Sequence, residues 1–207
     1  MNMRHTTIIL TSALLLWTMT QAALADAQSP EDMVKQTAEQ VLGKLQQDRS
    51  RLKAHPDAIY GLIESDILPH FDFDRMSRWV LARYWRTATP QQRSQFETQF
   101  RNLLVNTYGS TLLRYSGEKI SYQPTRLDPA SDMALVRTSV LNPDSGQSIP
   151  IDYRVYDNHG EWKVVDLTID GVSLVTNYRH SFSETLKQHG IDGLIRHLKT
   201  HNNEVTG

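Results

Sequence analysis

The residues of this sequence that could do chemistry are a few aspartates and histidines. Asp152, Asp166 and Asp170 fall on or beside predicted strands, and His180 falls on the helix that follows. A carboxylate and an imidazole facing one cavity could act as general acid and base, as in small isomerases. No spacing brings two of these residues together, and the aspartates have ordinary roles on a strand face or at a helix cap. We therefore predict no catalytic residue and keep a small isomerase or hydrolase as an alternative.

A metal site has little support in the sequence. His197 and His201 lie four residues apart on the last predicted helix, but no third ligand accompanies them. The chain has no cysteine, which excludes cysteine-ligated zinc, iron–sulfur clusters, thiol catalysis and disulfides. It also lacks a phosphate-binding glycine loop, a dinucleotide fingerprint and a Gly-x-Ser-x-Gly elbow. We predict neither a metal nor a cofactor.

Length and charge limit the class of protein further. The 207 residues are enough for one domain with a real hydrophobic core. The chain has 22 Lys+Arg against 23 Asp+Glu, so it is nearly neutral. A neutral chain gives no electrostatic basis for binding nucleic acid.

Residues 1–25 have the pattern of a secretory signal peptide. Arg4 precedes an apolar run from Ile8 to Thr20, and Ala23-Leu24-Ala25 has the small-x-small pattern that signal peptidase reads. The apolar run is too short to span a bilayer comfortably, although an uncleaved anchor is the alternative. We predict a mature chain of residues 26–207, exported without disulfides, which favours the periplasm of a Gram-negative bacterium.

Cap residues and apolar spacing predict helices in the first half of the mature chain. Ser29 and Thr89, each followed by proline, should begin helices. Apolar residues at steps of three and four over residues 96–115 predict one long helix with a buried face. Shorter helices are predicted over residues 56–68 and from residue 72 or 74 to about 86.

Beyond Lys119 the apolar pattern changes to a period of two. It predicts about four strands in a curved, mostly antiparallel sheet. Helices resume after Asp170-Gly171, and Gly190 separates the last two. Helices, then a sheet, then helices predict an α+β fold in one domain, residues 26–207.

Several segments resemble a known family. They are residues 70–76, residues 81–93, which include Leu81-Ala82-Arg83-Tyr84-Trp85, and residues 166–179. The run Phe96, Phe100, Leu103-Leu104 and Thr107-Tyr108 continues the match. Over nearly all of the mature chain the sequence resembles the MlaC family of periplasmic phospholipid-binding proteins, also called toluene-tolerance proteins. Ala82 stands where the family motif is expected to have glycine. Because alanine favours helices, we expect no effect unless the backbone needs close approach there.

The resemblance implies a fold like that of the nuclear-transport-factor superfamily (NTF2-like), with an added helical part. It implies a monomeric, non-enzymatic carrier that binds glycerophospholipid and maintains outer-membrane lipid asymmetry. The partners it implies are an outer-membrane lipoprotein–porin complex (MlaA-type) and an inner-membrane ABC transporter with an MCE subunit (MlaD-type). An adaptor that binds no lipid is a further alternative.

Apolar side chains are the predicted lipid contacts. Each exposed CH₂ group of an acyl chain costs about 0.8 kcal/mol in water, so an apolar pocket can hold a lipid without a charged motif. The candidates lie at inward strand positions and on two helices, and ordinary core packing is the alternative for each. They are Val80, Leu81, Tyr84, Leu103, Leu104, Tyr108, Val136, Val140, Ile149, Ile151, Tyr153, Val155, Val165, Leu167 and Ile169. Basic residues expected near the pocket mouth, or paired with acids, are Arg83, Arg86, Lys163 and Arg179.

Overall fold

A computed structural model describes residues 28–206, apart from residues 116, 129 and 144 and the side chains of residues 205 and 206. The predicted signal peptide lies outside these residues. The helices are α1 Pro30–Gln47, α2 Arg49–Ala54, α3 Ala58–Leu62, α4 Phe73–Leu81, α5 Arg83–Thr87, α6 Pro90–Leu112 and α7 Leu174–Thr206. Between α3 and α4 the chain forms a π-helical turn, Ile63–Ile67, and a 3₁₀ turn, Leu68–His70.

The helix starts predicted from cap residues are confirmed. Ser29 Oγ accepts a hydrogen bond from the backbone N–H of Asp32 at 3.0 Å. Thr89 and Gln92 form a reciprocal capping box at the start of α6. Asp72, one of two proposed caps, accepts from the backbone N–H of Arg75 at 2.8 Å. Each cap satisfies an N–H group that the first helical turn leaves without a partner.

The helix predicted to reach residue 86 is broken at Ala82. This residue has φ 49° and ψ −117°, so α4 ends before it and α5 begins after it. The conformation lies in the positive-φ region that glycine adopts freely and that a Cβ atom disfavours. The expectation that alanine is neutral here was therefore wrong, and Ala82 holds a strained backbone.

Every pairing between two described strands is antiparallel, while Phe71 forms an isolated parallel bridge with Val164 of the fifth strand. Its strands are β1 Lys119–Tyr122, β2 Arg126–Leu127, β3 Met133–Leu141, β4 Ser148–Asn158, β5 Glu161–Ile169 and β6 Val172–Ser173. Their order is β1-β3-β4-β5-β6, and β2 also pairs with β3. The predicted strands correspond to β1, β3, β4 and β5, while β2 and β6 have two residues each.

Two-residue turns join the last three strands. His159 and Gly160 have φ of 57° and 91°, and Asp170 and Gly171 have φ of 49° and 80°. Two successive positive φ values are the type I′ geometry that suits the right-handed twist of a hairpin. Asp170-Gly171 thus closes a hairpin between β5 and β6, and α7 begins only at Leu174.

The strand register gives the sheet one apolar and one polar face. Val136 pairs with Tyr153, which pairs with Leu167, and Thr138, Ile151 and Ile169 form the next row. Paired residues share a face, so these rows belong to one surface, which we call the inner face. Arg137, Asp152 and Thr168 form a row on the opposite face.

Among residues 28–204, buried apolar side chains gather in three clusters. The helical cluster joins α4, α6 and α7 through residues such as Phe96, Phe100 and Phe182. The sheet cluster packs Met33 and Val34 of α1 against the inner face. The α1–α3 cluster joins the second half of α1 to α2, α3 and the end of α6. The molecule is thus an α+β fold in which α1 links the sheet to the helices.

Helix α7 is interrupted where the sequence predicts a break. Gly190 has φ 63° and ψ −168°, which are not helical values. The chain bends so sharply here that a Cβ on Gly193 would overlap Cβ of His189. Among the described residues, no helix has both the length and the hydropathy needed to cross a bilayer.

Candidate ligand-binding site

Helix α1 covers only part of the inner face. Near its start, Met33 and Val34 bury Ala134, Val136, Val155 and Val164. Further along the strands, aliphatic side chains on the same face are half-buried and belong to none of the three clusters. We call those on β3, β4 and β5 the open half of the inner face; they are Val140, Ile149, Ile151 and Ile169. Contiguous, incompletely covered apolar surface of this kind is typical of a binding site.

A short hydrogen-bonded chain marks the border between the covered and open halves. Thr138 is buried, and its Oγ1 donates to the carbonyl oxygen of Ile151 at 2.9 Å. The Tyr153 hydroxyl hydrogen-bonds with Thr138, while burial raises the pKa of Tyr153 to about 12. Burial also raises the pKa of Tyr122, with a smaller contribution from Glu39. Both phenols therefore stay neutral at ordinary pH, and this border carries no charge of its own.

The strand candidates occupy different parts of the inner face. Val136 and Val155 are buried beneath α1, with Tyr153 and Leu167 packed beside them. The register shifts between Arg154 and Val155, so Val164 rather than Val165 lies opposite Val155. Val165 is itself fully buried. Simple alternation along β5 could not reveal this bulge, because it depends on the partner strand.

The helical candidates belong to a different core cluster from the inner face. Val80, Leu81, Leu103 and Leu104 are buried in the helical cluster. Tyr84 and Tyr108 are partly buried and pack against the same cluster. Apart from Val165 at the bulge, the structure thus divides the predicted lipid contacts between two groups, one on the inner face and one among the helices.

The possible acid–base residues do not meet in a cavity. Asp166 is buried, accepts from Ser173 Oγ at 2.7 Å and from the backbone N–H of Val175 at 3.1 Å, and so anchors the start of α7. Asp152 lies 3.8 Å from Arg137 on the polar face. Asp170 is in the β5–β6 turn, and His180 is exposed on α7. Each aspartate has a structural role in the fold.

The four basic residues expected at a pocket mouth contact different parts of the fold. Arg179 Nε donates to the carbonyl of Trp79 at 2.8 Å, which ties α7 to α4. Arg83 stacks 5.0 Å from the ring centre of Tyr84, and Arg86 is exposed. Lys163 donates to the carbonyl of Pro69 and pairs with Glu161.

A cavity lies at the end of the molecule where α1, α2 and α6 meet, which we call the helical end, and it was not predicted from the sequence. It has a volume of about 440 Å³, and α1, α2 and the end of α6 surround it. The described lining residues are Leu45, Arg49, Leu52, Lys53, Pro56, Leu112, Leu113, Arg114 and Tyr115. The signal available in the sequence was the segment Arg49–Lys53, in which basic residues flank Leu52.

The protein has an α+β fold in which helices pack on an open antiparallel sheet. Part of the apolar inner face of that sheet stays uncovered. A family profile described as MlaC protein matches residues 35–200. The chain therefore belongs to the MlaC family, and the resemblance noted in the sequence is confirmed.

Individual relatives agree with this assignment. The chain is 29% identical over 170 residues to the toluene tolerance protein ttg2D of Pseudomonas putida, covering 80% of this chain and 77% of that protein. It is 26% identical over 193 residues to the intermembrane phospholipid transport system binding protein MlaC of Haemophilus influenzae, covering 92% and 90%. A phospholipid-binding protein from Ralstonia solanacearum, solved in complex with a phospholipid, superposes with a TM-score of 0.78 at 30% identity. That alignment covers 88% of this chain and 100% of the other.

Proposed function

We propose that this protein is a carrier that binds glycerophospholipid by its acyl chains on the inner face of the sheet. The observation that carries the proposal is the open half of that face, where aliphatic side chains from β3, β4 and β5 lie outside every core cluster. Helix α1 already buries the remainder of the face with apolar side chains. An acyl chain laid on the open half would complete that burial.

The free energy of a lipid in water explains why such a carrier is useful. At about 0.8 kcal/mol per CH₂, two ordinary chains oppose leaving a bilayer by about 20 kcal/mol. An apolar protein site gives the chains nearly the same surroundings as the membrane. Transfer is then close to balanced, and no chemical step is needed to cross an aqueous gap.

Membership of the MlaC family supports this function. The Ralstonia relative, which shares the fold at 30% identity, holds a phospholipid. The Haemophilus relative bears the name of a phospholipid transport binding protein. We extend phospholipid binding and transport from these relatives to this chain, without catalysis and without a cofactor.

The cellular setting follows from the same proposal. The signal-peptide pattern of residues 1–25 directs the chain to the periplasm of a Gram-negative bacterium. There the mature protein, as a monomer, would exchange lipid with an MlaA-type lipoprotein–porin complex and an MlaD-type transporter subunit. Its role would be to maintain outer-membrane lipid asymmetry.

The test is to purify the mature chain from periplasm without detergent and to analyse an organic extract by mass spectrometry. We expect phospholipid in a fixed molar ratio to protein. Donor and acceptor vesicles of phosphatidylethanolamine and phosphatidylglycerol, with a fluorescent phospholipid in the donor, should then exchange lipid faster when protein is added. An extract without phospholipid, together with unchanged exchange, would overturn the proposal.

A further inference from the structure

The cavity at the helical end is separate from the inner face. Every described residue that lines it belongs to α1, α2, α6 or the segments that follow α2 and α6. No described strand residue is among them. Its volume of about 440 Å³ lies within the usual range for small-molecule sites.

The lining of this cavity has an apolar and a basic part. Leu45 and Leu52 are buried in the α1–α3 cluster, and Leu112 and Tyr115 pack against that cluster. These four residues offer a hydrocarbon surface, as a binding site for an alkyl chain requires.

Three basic side chains, Arg49, Lys53 and Arg114, complete the lining, and no acidic residue is among its described members. Among the described residues, neither Arg49 nor Lys53 forms an ion pair, and Asp48, which adjoins Arg49, pairs instead with Arg51. The Arg114 guanidinium donates to Thr111 Oγ1 at 3.4 Å, and Arg114 forms no ion pair within the described part of the chain. All three basic residues are exposed, so they can meet a ligand at the cavity entrance.

We propose that this cavity binds a single-chain anionic amphiphile, with the alkyl chain against the leucines and the anionic group among Arg49, Lys53 and Arg114. Fatty-acid carboxylates and the phosphates of single-chain lipids share this chemistry. The cavity is suited to one chain because its volume is at the lower end of the usual range. This site goes beyond the proposed phospholipid site, because the two share no described residue.

The probes are dodecanoate, dodecyl phosphate and the neutral dodecanol, titrated into the mature protein by calorimetry. The two anions are kept below their micelle concentrations and dodecanol below its solubility limit. A charge-assisted hydrogen bond contributes enough to favour both anions over dodecanol by about tenfold. The triple variant R49Q/K53Q/R114Q should bind all three probes with similar, weak affinity. Because these side chains are exposed, the variant should keep its fold, which circular dichroism checks.

Relative affinities of the two anions identify the source of the ligand. Tighter binding of dodecyl phosphate assigns the site to phosphate-bearing single-chain lipids, and tighter binding of dodecanoate assigns it to fatty acids. Either result supports the proposal. Equal affinity of wild-type protein for dodecanol and the anions, or an anion preference that the triple variant retains, would overturn it.

A blocking variant separates this site from the phospholipid site. Leu113 lines the cavity and is 37% exposed, so Leu113→Trp fills the entrance with little effect on the core. We expect it to lose dodecyl phosphate and dodecanoate binding and to keep its extractable phospholipid. If the triple variant and Leu113→Trp both lose phospholipid, the cavity belongs to the phospholipid site and its separateness is overturned. If the wild-type protein retains phospholipid but shows no preference for the anions, this inference is refuted and the proposed phospholipid binding stands.

Discussion

The Lys44 ammonium donates to both carboxylate oxygens of Asp66, at 2.9 Å and 2.8 Å. Gln40 Nε2 donates to the same carboxylate at 3.1 Å. The Asp66 side chain is 8% exposed and Lys44 is 45% exposed. This contact fastens α1, which covers half of the inner face, to the π-helical turn that precedes α4.

Removing the cation should loosen that attachment. Lys44→Met leaves the buried Asp66 carboxylate with only Gln40, so we expect a loss of about 1–3 kcal/mol in the free energy of unfolding. Exposure of Lys44 to water favours the lower end of that range. Urea denaturation measures the loss, and Lys35→Met, at an exposed position on the same helix, is the matched control. Equal stability of the two variants would contradict a stabilising role for the Lys44–Asp66 pair.

Replacing Ala82 with glycine should stabilise the protein. The positive φ of 49° strains a residue with a Cβ, whereas glycine adopts it at little cost. We expect Ala82→Gly to raise the unfolding free energy by about 1 kcal/mol and Tm by about 2–4 °C. Ala54→Gly, in the last turn of α2, should instead lower stability, as glycine normally does in a helix. A decrease for both variants would show that Ala82 is not strained.

A charge on the open half of the inner face should prevent phospholipid retention. Ile151→Asp places a carboxylate where an acyl chain is proposed to lie, and desolvating that charge is costly. Mass spectrometry of the purified variant should find little phospholipid, with the circular dichroism spectrum preserved. Ser121→Asp, on the polar face of β1, should retain it. Full retention by Ile151→Asp would place the lipid elsewhere.

Stability should fall in alkaline solution because of Tyr153. Its pKa is about 12 in the folded protein and about 10 in an unfolded chain, so the unfolded chain loses its proton first as the pH rises. The contribution is therefore fully present below pH ~10 and lost between pH ~10 and ~12, at up to about 1.4 kcal/mol per pH unit. Tyr153→Phe removes this dependence. Urea denaturation of both proteins from pH ~9 to ~12 should show the shallower slope in the variant, and equal slopes would contradict the burial of this phenol.

The bend in α7 should depend on Gly193. A Cβ at this position would overlap Cβ of His189, so Gly193→Ala forces the bend to open. Overpacking of this kind costs about 1–3 kcal/mol. Gly43→Ala is the control, because a Cβ there meets no atom within 4 Å and alanine favours the helix. Thermal unfolding should separate the two variants in opposite directions, and an unchanged Tm for Gly193→Ala would refute the close approach.

Local chemistry allowed several elements to be predicted from the sequence. Ser29 and Thr89 began their helices as expected, because a cap acts on N–H groups only two or three residues away. Alternation along β3 and β4 assigned the same residues to the inner face that the register assigns. Gly190 broke α7 as expected. The α+β class followed from these elements and their order along the chain.

Tertiary contacts decided three features that could not be predicted from the sequence alone: the break at Ala82, the bulge in β5 and the cavity at the helical end. Ala82 was expected to continue a helix, since propensity is a weak local preference that packing overrides at this bend. The bulge near Val165 depends on the partner strand, and the cavity beside Arg49 and Leu52 exists only because α2 meets the end of α6. The sequence by itself determined which surfaces are apolar. Only packing in three dimensions decided which of those surfaces are fully covered, because burial depends on partners distant along the chain.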